Sequence, residues 1–132
     1  MKKLKSTLVA LALIVSVSAF AGGTEKTVEK ARGIVSNAAP DDYKALAKAA
    51  ELCVKKDVNL TEAKEWFEKS ISIKENSKAF EVAGDYYANN DLHDKAIEYY
   101  VKSMLKAKEN DVNADTELLE SKIQKVKKAQ KS

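Results

Sequence analysis

Apolar residues recur at three- and four-residue spacing along most of the chain beyond residue 23. That spacing matches the period of an α-helix that buries one face. It predicts helices over about 24–37, 42–56, 77–89, 93–108 and 115–130. A further helix follows the predicted turn at 57–61 and ends at about residue 74. The breaks are rich in Asn, Asp and Ser, and one contains Pro40, the single proline of the chain. Because such residues favour turns and helix starts, we expect an all-α domain.

The predicted inward positions carry mostly alanine, aromatic and aliphatic side chains. They are Val28, Ala31, Val35, Tyr43, Leu46, Ala47, Ala50, Val54, Ala63, Trp66, Phe67, Ser70, Ile71, Phe80, Ala83, Gly84, Tyr87, Ala96, Ile97, Tyr100, Met104, Leu119, Ile123 and Val126. Ile73 and Leu105 lie at the margins of these apolar stripes. Tyr86 and Tyr99 fall one residue away from the stripes, so we expect both rings to stay partly exposed.

Polar residues at the predicted helix starts indicate capping. Asp42 precedes the second helix, where its side chain can accept a free amide hydrogen. Asn59 or Thr61 can do the same for the third helix, and Glu62 lies at the spacing from Asn59 that a capping box requires.

The first 21 residues differ in character from the rest. Three lysines within the first five residues precede an apolar run over 8–15, and a small-x-small cleavage site ends at Ala21. This order is typical of a cleaved secretory signal. We expect a periplasmic or secreted product of residues 22–132, with an uncleaved membrane anchor as the alternative. No cysteine follows the cleavage site, so lipid attachment there is not expected.

Charge argues against one large class of partners. The chain has 23 basic and 20 acidic residues, but three basic residues and no acidic residue lie within 1–21. The remaining residues therefore form a formally neutral domain with 20 charges of each sign. Such a domain lacks the broad basic field that holds nucleic-acid phosphates, so nucleic acid is not an expected partner.

Residues with catalytic or ligand-binding chemistry are few. The one cysteine, Cys53, lies among apolar neighbours on a predicted helix, and we expect it to be buried. The one histidine, His93, lies between Asp91 and Asp94 in a turn, where aspartates ordinarily cap a helix. No zinc-binding, phosphate-loop or nucleophile motif is present. The sequence predicts no catalytic residue, no metal site and no cofactor, and it favours a binding protein over an enzyme.

One pattern of small and aromatic residues occurs twice, 33 residues apart. The matching pairs are Ala50 and Ala83, Glu51 and Gly84, Val54 and Tyr87, Ala63 and Ala96, Phe67 and Tyr100, and Ser70 and Ser103. A fixed period of this length is the signature of stacked helical repeats, each of which needs a neighbour to bury its apolar face.

The two copies resemble tetratricopeptide repeats, whose unit is a helix-turn-helix of about 34 residues. The better match spans 77–110, where AFEVAGDYY and DKAIEYYVKS carry the small and aromatic positions of the family. The weaker match spans 44–76, with Glu51 where glycine is usual. The resemblance implies antiparallel helix-hairpin repeats, forming a solenoid of about two repeats with flanking helices. The last of these would be a capping helix over about 114–130.

In such repeats the first helix of each hairpin lines a concave face that binds extended peptides or partner helices. On this chain that face would carry Lys48, Leu52, Lys55, Lys56, Lys78, Glu81, Asp85 and Asn89. The resemblance thus implies a non-catalytic, exported adaptor for a protein or peptide partner. The alternatives left open are an ordinary solvated face, a self-assembling envelope protein (a homo-oligomer) and a small-ligand binder or enzyme.

Overall fold

Six α-helices and no strand make up residues 22–132, the part of the chain that this computed structural model describes. They are α1 (Gly22–Asn37), α2 (Tyr43–Lys56), α3 (Leu60–Ile73), α4 (Ser77–Asn89), α5 (His93–Asn110) and α6 (Glu117–Lys131). The all-α prediction is confirmed, and the helix ends lie within two residues of the expected positions. The predicted signal segment, residues 1–21, lies outside the described residues. None of the six helices is long and apolar enough to cross a membrane.

The helices α2 and α4 begin and end in the same way. Asp42 before α2 and Asn76 before α4 each accept a hydrogen bond from the amide three residues later, at 3.0 and 2.9 Å. At the other end, Asp57 and Asp91 both take left-handed backbone, with φ of 54° and 59°. Short polar side chains suit both places, because they cap free amides and tolerate left-handed backbone. Matching residues of α2 and α4 are therefore 34 positions apart.

Between its left-handed aspartate and the following helix, the turn after α2 contains one residue more than the turn after α4. After the left-handed aspartate, Val58 and Asn59 precede α3, whereas Leu92 alone precedes α5. Asn59 is itself left-handed (φ 49°) and its side chain makes no capping hydrogen bond. An N-cap normally takes extended backbone, which directs its oxygen at the free amides. Glu62 instead accepts from Nε of Arg32 on α1 (2.8 Å), so the predicted capping box is wrong.

The extra residue changes which positions correspond. Helices α2 and α4 match at 34 residues, whereas α3 and α5 match at 33. Ala50 therefore corresponds to Gly84, and Glu51 corresponds to Asp85. The uniform alignment at 33 residues, which sets Glu51 opposite Gly84, is wrong for α2 and α4.

Each helix pair, α2 with α3 and α4 with α5, is an antiparallel hairpin closed by a buried serine. Ser70 near the end of α3 donates to the carbonyl of Tyr43 at the start of α2 (2.7 Å). Ser103 on α5 donates in the same way to the carbonyl of Ser77 at the start of α4 (2.7 Å). Both serines are fully buried, and these bonds satisfy their hydroxyls.

The core lies between the two hairpins and under α1 and α6. All the predicted inward positions are buried or half-buried, Cys53 is buried, and Tyr86 and Tyr99 are half-buried as expected. Two marginal positions point outward. Ile73 is 37% exposed at the last residue of α3, and Leu105 is 65% exposed on α5.

Candidate partner-binding groove

Charged side chains form one stripe along α2 and a second along α4. The stripe on α2 consists of Lys44, Lys48, Glu51 and Lys55. The stripe on α4 consists of Lys78, Glu81 and Asp85. Within each stripe the spacing is three or four residues, which places the side chains on one face of the helix.

The carboxylate of Glu51 joins the two stripes. Its Oε2 lies 2.8 Å from Nζ of Lys78 and 3.7 Å from Nζ of Lys55. Partial burial acts to raise the pKa of Glu51, but the hydrogen bond and charge of Lys78 outweigh it and lower that pKa. The same hydrogen bond raises the pKa of Lys78. Both groups are therefore charged at neutral pH and neutralise each other.

Helix α6 supplies a lysine that pairs with both carboxylates of the α4 stripe. Nζ of Lys122 lies 2.9 Å from Glu81 and 3.0 Å from Asp85. Burial disfavours the charge of Lys122, yet its hydrogen bonds with these two carboxylates raise its pKa. Asp85 also accepts a hydrogen bond from the hydroxyl of Tyr100 (2.6 Å). Burial and then this bond raise the pKa of Tyr100, so the hydroxyl remains a donor.

An open groove of about 500 Å³ lies at the end of this surface where α2 and α4 begin. Its lining residues are Tyr43, Lys44, Lys48, Glu51, Asn76, Lys78 and Asn110, and we call it the lysine groove. Lys44 and Lys48 are exposed and make no ion pair with any residue of the described range.

Of the predicted binding residues, the structure brings Lys48 and Lys78 together in the lysine groove. Lys55 and Lys56 lie in the last turn of α2, at the opposite end of that helix. Lysines near a helix C-terminus are stabilised by the helix dipole, which gives these two a role in the fold. The predicted site is thus divided between the two ends of the surface.

The uncharged members of the predicted set contact the protein itself. Leu52 is half-buried and packs against the core. Nδ2 of Asn89 donates to the carbonyl of Val54 (3.2 Å), which ties the end of α4 to the end of α2. These contacts hold the two first helices side by side.

A second, smaller cleft of about 290 Å³ lies between the end of α4 and α6. Its walls include Asp85 and Lys122, which are already paired, together with His93 and Lys125. No group of three or more His, Cys, Asp or Glu within residues 22–132 could hold a metal ion. The lysine groove, in which Lys44 and Lys48 make no ion pair within residues 22–132, is the better candidate for binding.

Several site residues were missed by sequence reasoning. Lys44 lies one helical turn before Lys48, so the spacing that identified Lys48 could also have found it. Asn110 comes from the end of α5, and Lys122 comes from α6. Their positions depend on how distant helices pack, which the local pattern does not encode.

Comparison with known proteins finds no matching family model, no matching curated protein and no matching solved structure.

Proposed function

We propose that the protein is an exported, non-catalytic adaptor, related to tetratricopeptide repeats, which binds a protein or peptide partner on the face formed by α2 and α4. The lysine groove is the observation that carries this proposal. It is open, it is about 500 Å³ in volume, and two of its lysines have no partner within the described residues. The carboxylates farther along the same face, Glu81 and Asp85, are paired with Lys122.

The recurrence of caps, left-handed aspartates and closing serines in both hairpins supports the relation to repeats. Two copies of one hairpin place equivalent helices side by side, and this creates a continuous surface for an extended partner. The hydrogen bond from Asn89 to Val54 fixes the spacing of α2 and α4 at one end of that surface.

Affinity recovery with crosslinking tests the proposal. The protein comprising residues 22–132 is immobilised and exposed to an extract of the cells that produce it. The charge-reversed variant Lys44→Glu with Lys48→Glu is compared with Lys127→Glu and Lys128→Glu, a matched pair on the exposed side of α6. We expect one specific partner to be recovered by the parent and by the α6 variant, and to be lost with the α2 variant. Equal recovery by all three forms would contradict the proposal.

Self-assembly is the second candidate, and exposed apolar side chains on α5 and α6 favour it. Val101 and Leu105 lie one turn apart on α5 and are 40% and 65% exposed, and Leu118 on α6 is 66% exposed. Sedimentation velocity over a range of concentrations separates the two candidates. We expect the mass of a single chain throughout. A mass that rises with concentration, and that Leu105→Asp returns to one chain, would favour self-assembly.

A further inference from the structure

We propose that the lysine groove selects an acidic segment of its partner, one that carries several Asp or Glu side chains. This inference rests on the proposed adaptor function and deepens it by naming the chemistry of the partner. It follows from the charges that remain after the ion pairs of the chain are assigned.

The charges lining the groove are predominantly positive. Lys44, Lys48 and Lys78 contribute three ammonium groups, and Glu51 contributes the one carboxylate. That carboxylate is held by Lys78 at 2.8 Å, and Lys55 approaches it at 3.7 Å. Lys44 and Lys48 are left without a counter-charge in the described chain.

A further lysine lies beside the groove. Nζ of Lys74 sits 5.5 Å from the centre of the Tyr43 ring, and Tyr43 is itself part of the lining.

Nearby carboxylates outside the lining are engaged elsewhere. Asp42 uses its side-chain oxygen to cap α2 (3.0 Å). Glu75 lies 3.8 Å from Lys106 of α5. Neither carboxylate forms an ion pair with Lys44 or Lys48, so an incoming acidic segment would meet unpaired ammonium groups.

The side-chain amides of the groove offer few free hydrogen-bonding groups, so recognition depends mainly on charge. Nδ2 of Asn76 donates to Oγ of Ser70 (3.1 Å) and to the carbonyl of Lys74 (2.8 Å). This side chain therefore lines the groove but has its amide hydrogens already bonded within the protein. Asn110, which is exposed, remains as an uncharged donor at the rim. Charge complementarity of this kind sets partner choice and association rate more than it sets affinity.

A peptide suits this surface better than a nucleic acid does. The positive charge is confined to one groove, and the residues beyond position 21 carry equal numbers of acidic and basic groups. Nucleic acids need lysines and arginines distributed along a longer track of phosphates. A short extended acidic segment needs only the groove.

Fluorescence anisotropy with a defined probe tests the inference. The probe is a fluorescein-labelled peptide of alternating Glu and Ser, acetylated and amidated at its ends so that it has no terminal carboxylate. Its matched control replaces every Glu with Gln. We expect the Glu peptide to bind residues 22–132, to weaken as salt is raised, and to bind more tightly than the Gln peptide. Lys44→Gln with Lys48→Gln should weaken binding by about tenfold, since two exposed ion pairs are removed.

The control variant is Lys127→Gln with Lys128→Gln, which removes the same charge from α6 and should leave binding unchanged. Failure of the Glu peptide to bind, equal binding of the Gln peptide, or an equal loss in the α6 variant would each overturn the inference. Tighter binding of a uridine oligonucleotide would overturn it in favour of nucleic acid. If affinity recovery yields a groove-dependent partner but the Glu peptide shows no preference, the adaptor function stands and the acidic selection fails.

Discussion

The two hairpins share their caps and closing serines but differ in the contact between their helices. Gly84 of α4 lies against the ring of Tyr100, and a Cβ placed there would come within 2.5 Å of Cδ1 and Cε1 of that ring. The first hairpin has Ala50 at the corresponding position and Phe67 in place of the tyrosine. Both Ala50 and Phe67 are fully buried. One hairpin therefore uses a glycine to admit a tyrosine, whereas the other closes with an alanine and a phenylalanine.

The polar contacts follow from this difference. The Tyr100 hydroxyl reaches Asp85 (2.6 Å), and Asp85 in turn holds Lys122 of α6. Glu51, which corresponds to Asp85, holds Lys78 of α4 at 2.8 Å. In both hairpins the carboxylate at this position ties its helix to a lysine of a later helix. In the second hairpin alone, the tyrosine adds a hydrogen bond to that carboxylate.

The largest effect should come from removing either aromatic ring. Phe67→Ala and Tyr100→Ala should each lower the free energy of unfolding by about 3–5 kcal/mol, since both rings are buried and leave a cavity. Urea unfolding followed by far-UV circular dichroism measures the loss. A change close to zero for either variant would show that the two rings do not hold equivalent positions in the core.

Adding a methyl group at the close contact should have the next largest effect. Gly84→Ala should destabilise the protein by about 1–3 kcal/mol. The new Cβ would overlap the Tyr100 ring, and the energy cost of this overlap exceeds the gain in helix propensity. Ala50→Gly, the reverse change in the first hairpin, should cost about 1 kcal/mol from helix propensity and about 0.8 kcal/mol more from the loss of a buried methyl group. Thermal unfolding of both variants makes the comparison. A stabilised Gly84→Ala would contradict the close approach.

Removing the tyrosine hydroxyl separates the polar contact from the packing. Tyr100→Phe should cost about 1–2 kcal/mol, because it removes a hydrogen bond to a charged, partly buried carboxylate. Tyr99→Phe is the matched control on the same helix and should change stability by less than about 0.5 kcal/mol. Equal costs for the two variants, measured by urea unfolding, would assign no energy to the Asp85 contact.

The stability contributed by the ion pair between Glu51 and Lys78, which joins the two hairpins, should depend on pH. Because the folded pKa of Glu51 is lowered, its contribution is complete above the unfolded value of about 4.3 and is lost as the pH falls toward the folded value. Glu51→Gln and Lys78→Met should each flatten that part of the curve of stability against pH. Unfolding measured between neutral and acidic pH tests this. An unchanged curve in both variants would show that this ion pair contributes nothing to the free energy of unfolding.

The smallest effect should come from the extra turn residue. Asn59 is left-handed, a conformation that glycine adopts freely and β-branched residues avoid. Asn59→Gly should change stability by less than about 0.5 kcal/mol, whereas Asn59→Val should cost about 1–2 kcal/mol. Equal melting temperatures for the two variants would contradict the left-handed backbone.

Much of the fold could be predicted because it depends on local patterns. Asp42 and Asn76 indicate where helices start, and the spacing of alanine and aromatic residues identifies the buried faces. The offset between the hairpins could not be read from the sequence, because Ala83 has an alanine opposite it in either alignment, Ala50 at 33 residues and Ala49 at 34. The ion pairs of Lys78 and Lys122 also could not be predicted, since they join helices whose packing no short-range pattern encodes.

Site-specific photocrosslinking tests the central claim most directly. A benzoylphenylalanine is placed at Lys48 in the lysine groove or, as a control, at Leu105 on the outer side of α5, in an otherwise unchanged chain. We expect position 48 to capture one specific partner from the producing cells, and position 105 to capture none. Capture of the partner at position 105 alone, or adducts between copies of this chain at position 105, would contradict an adaptor that binds through α2 and α4.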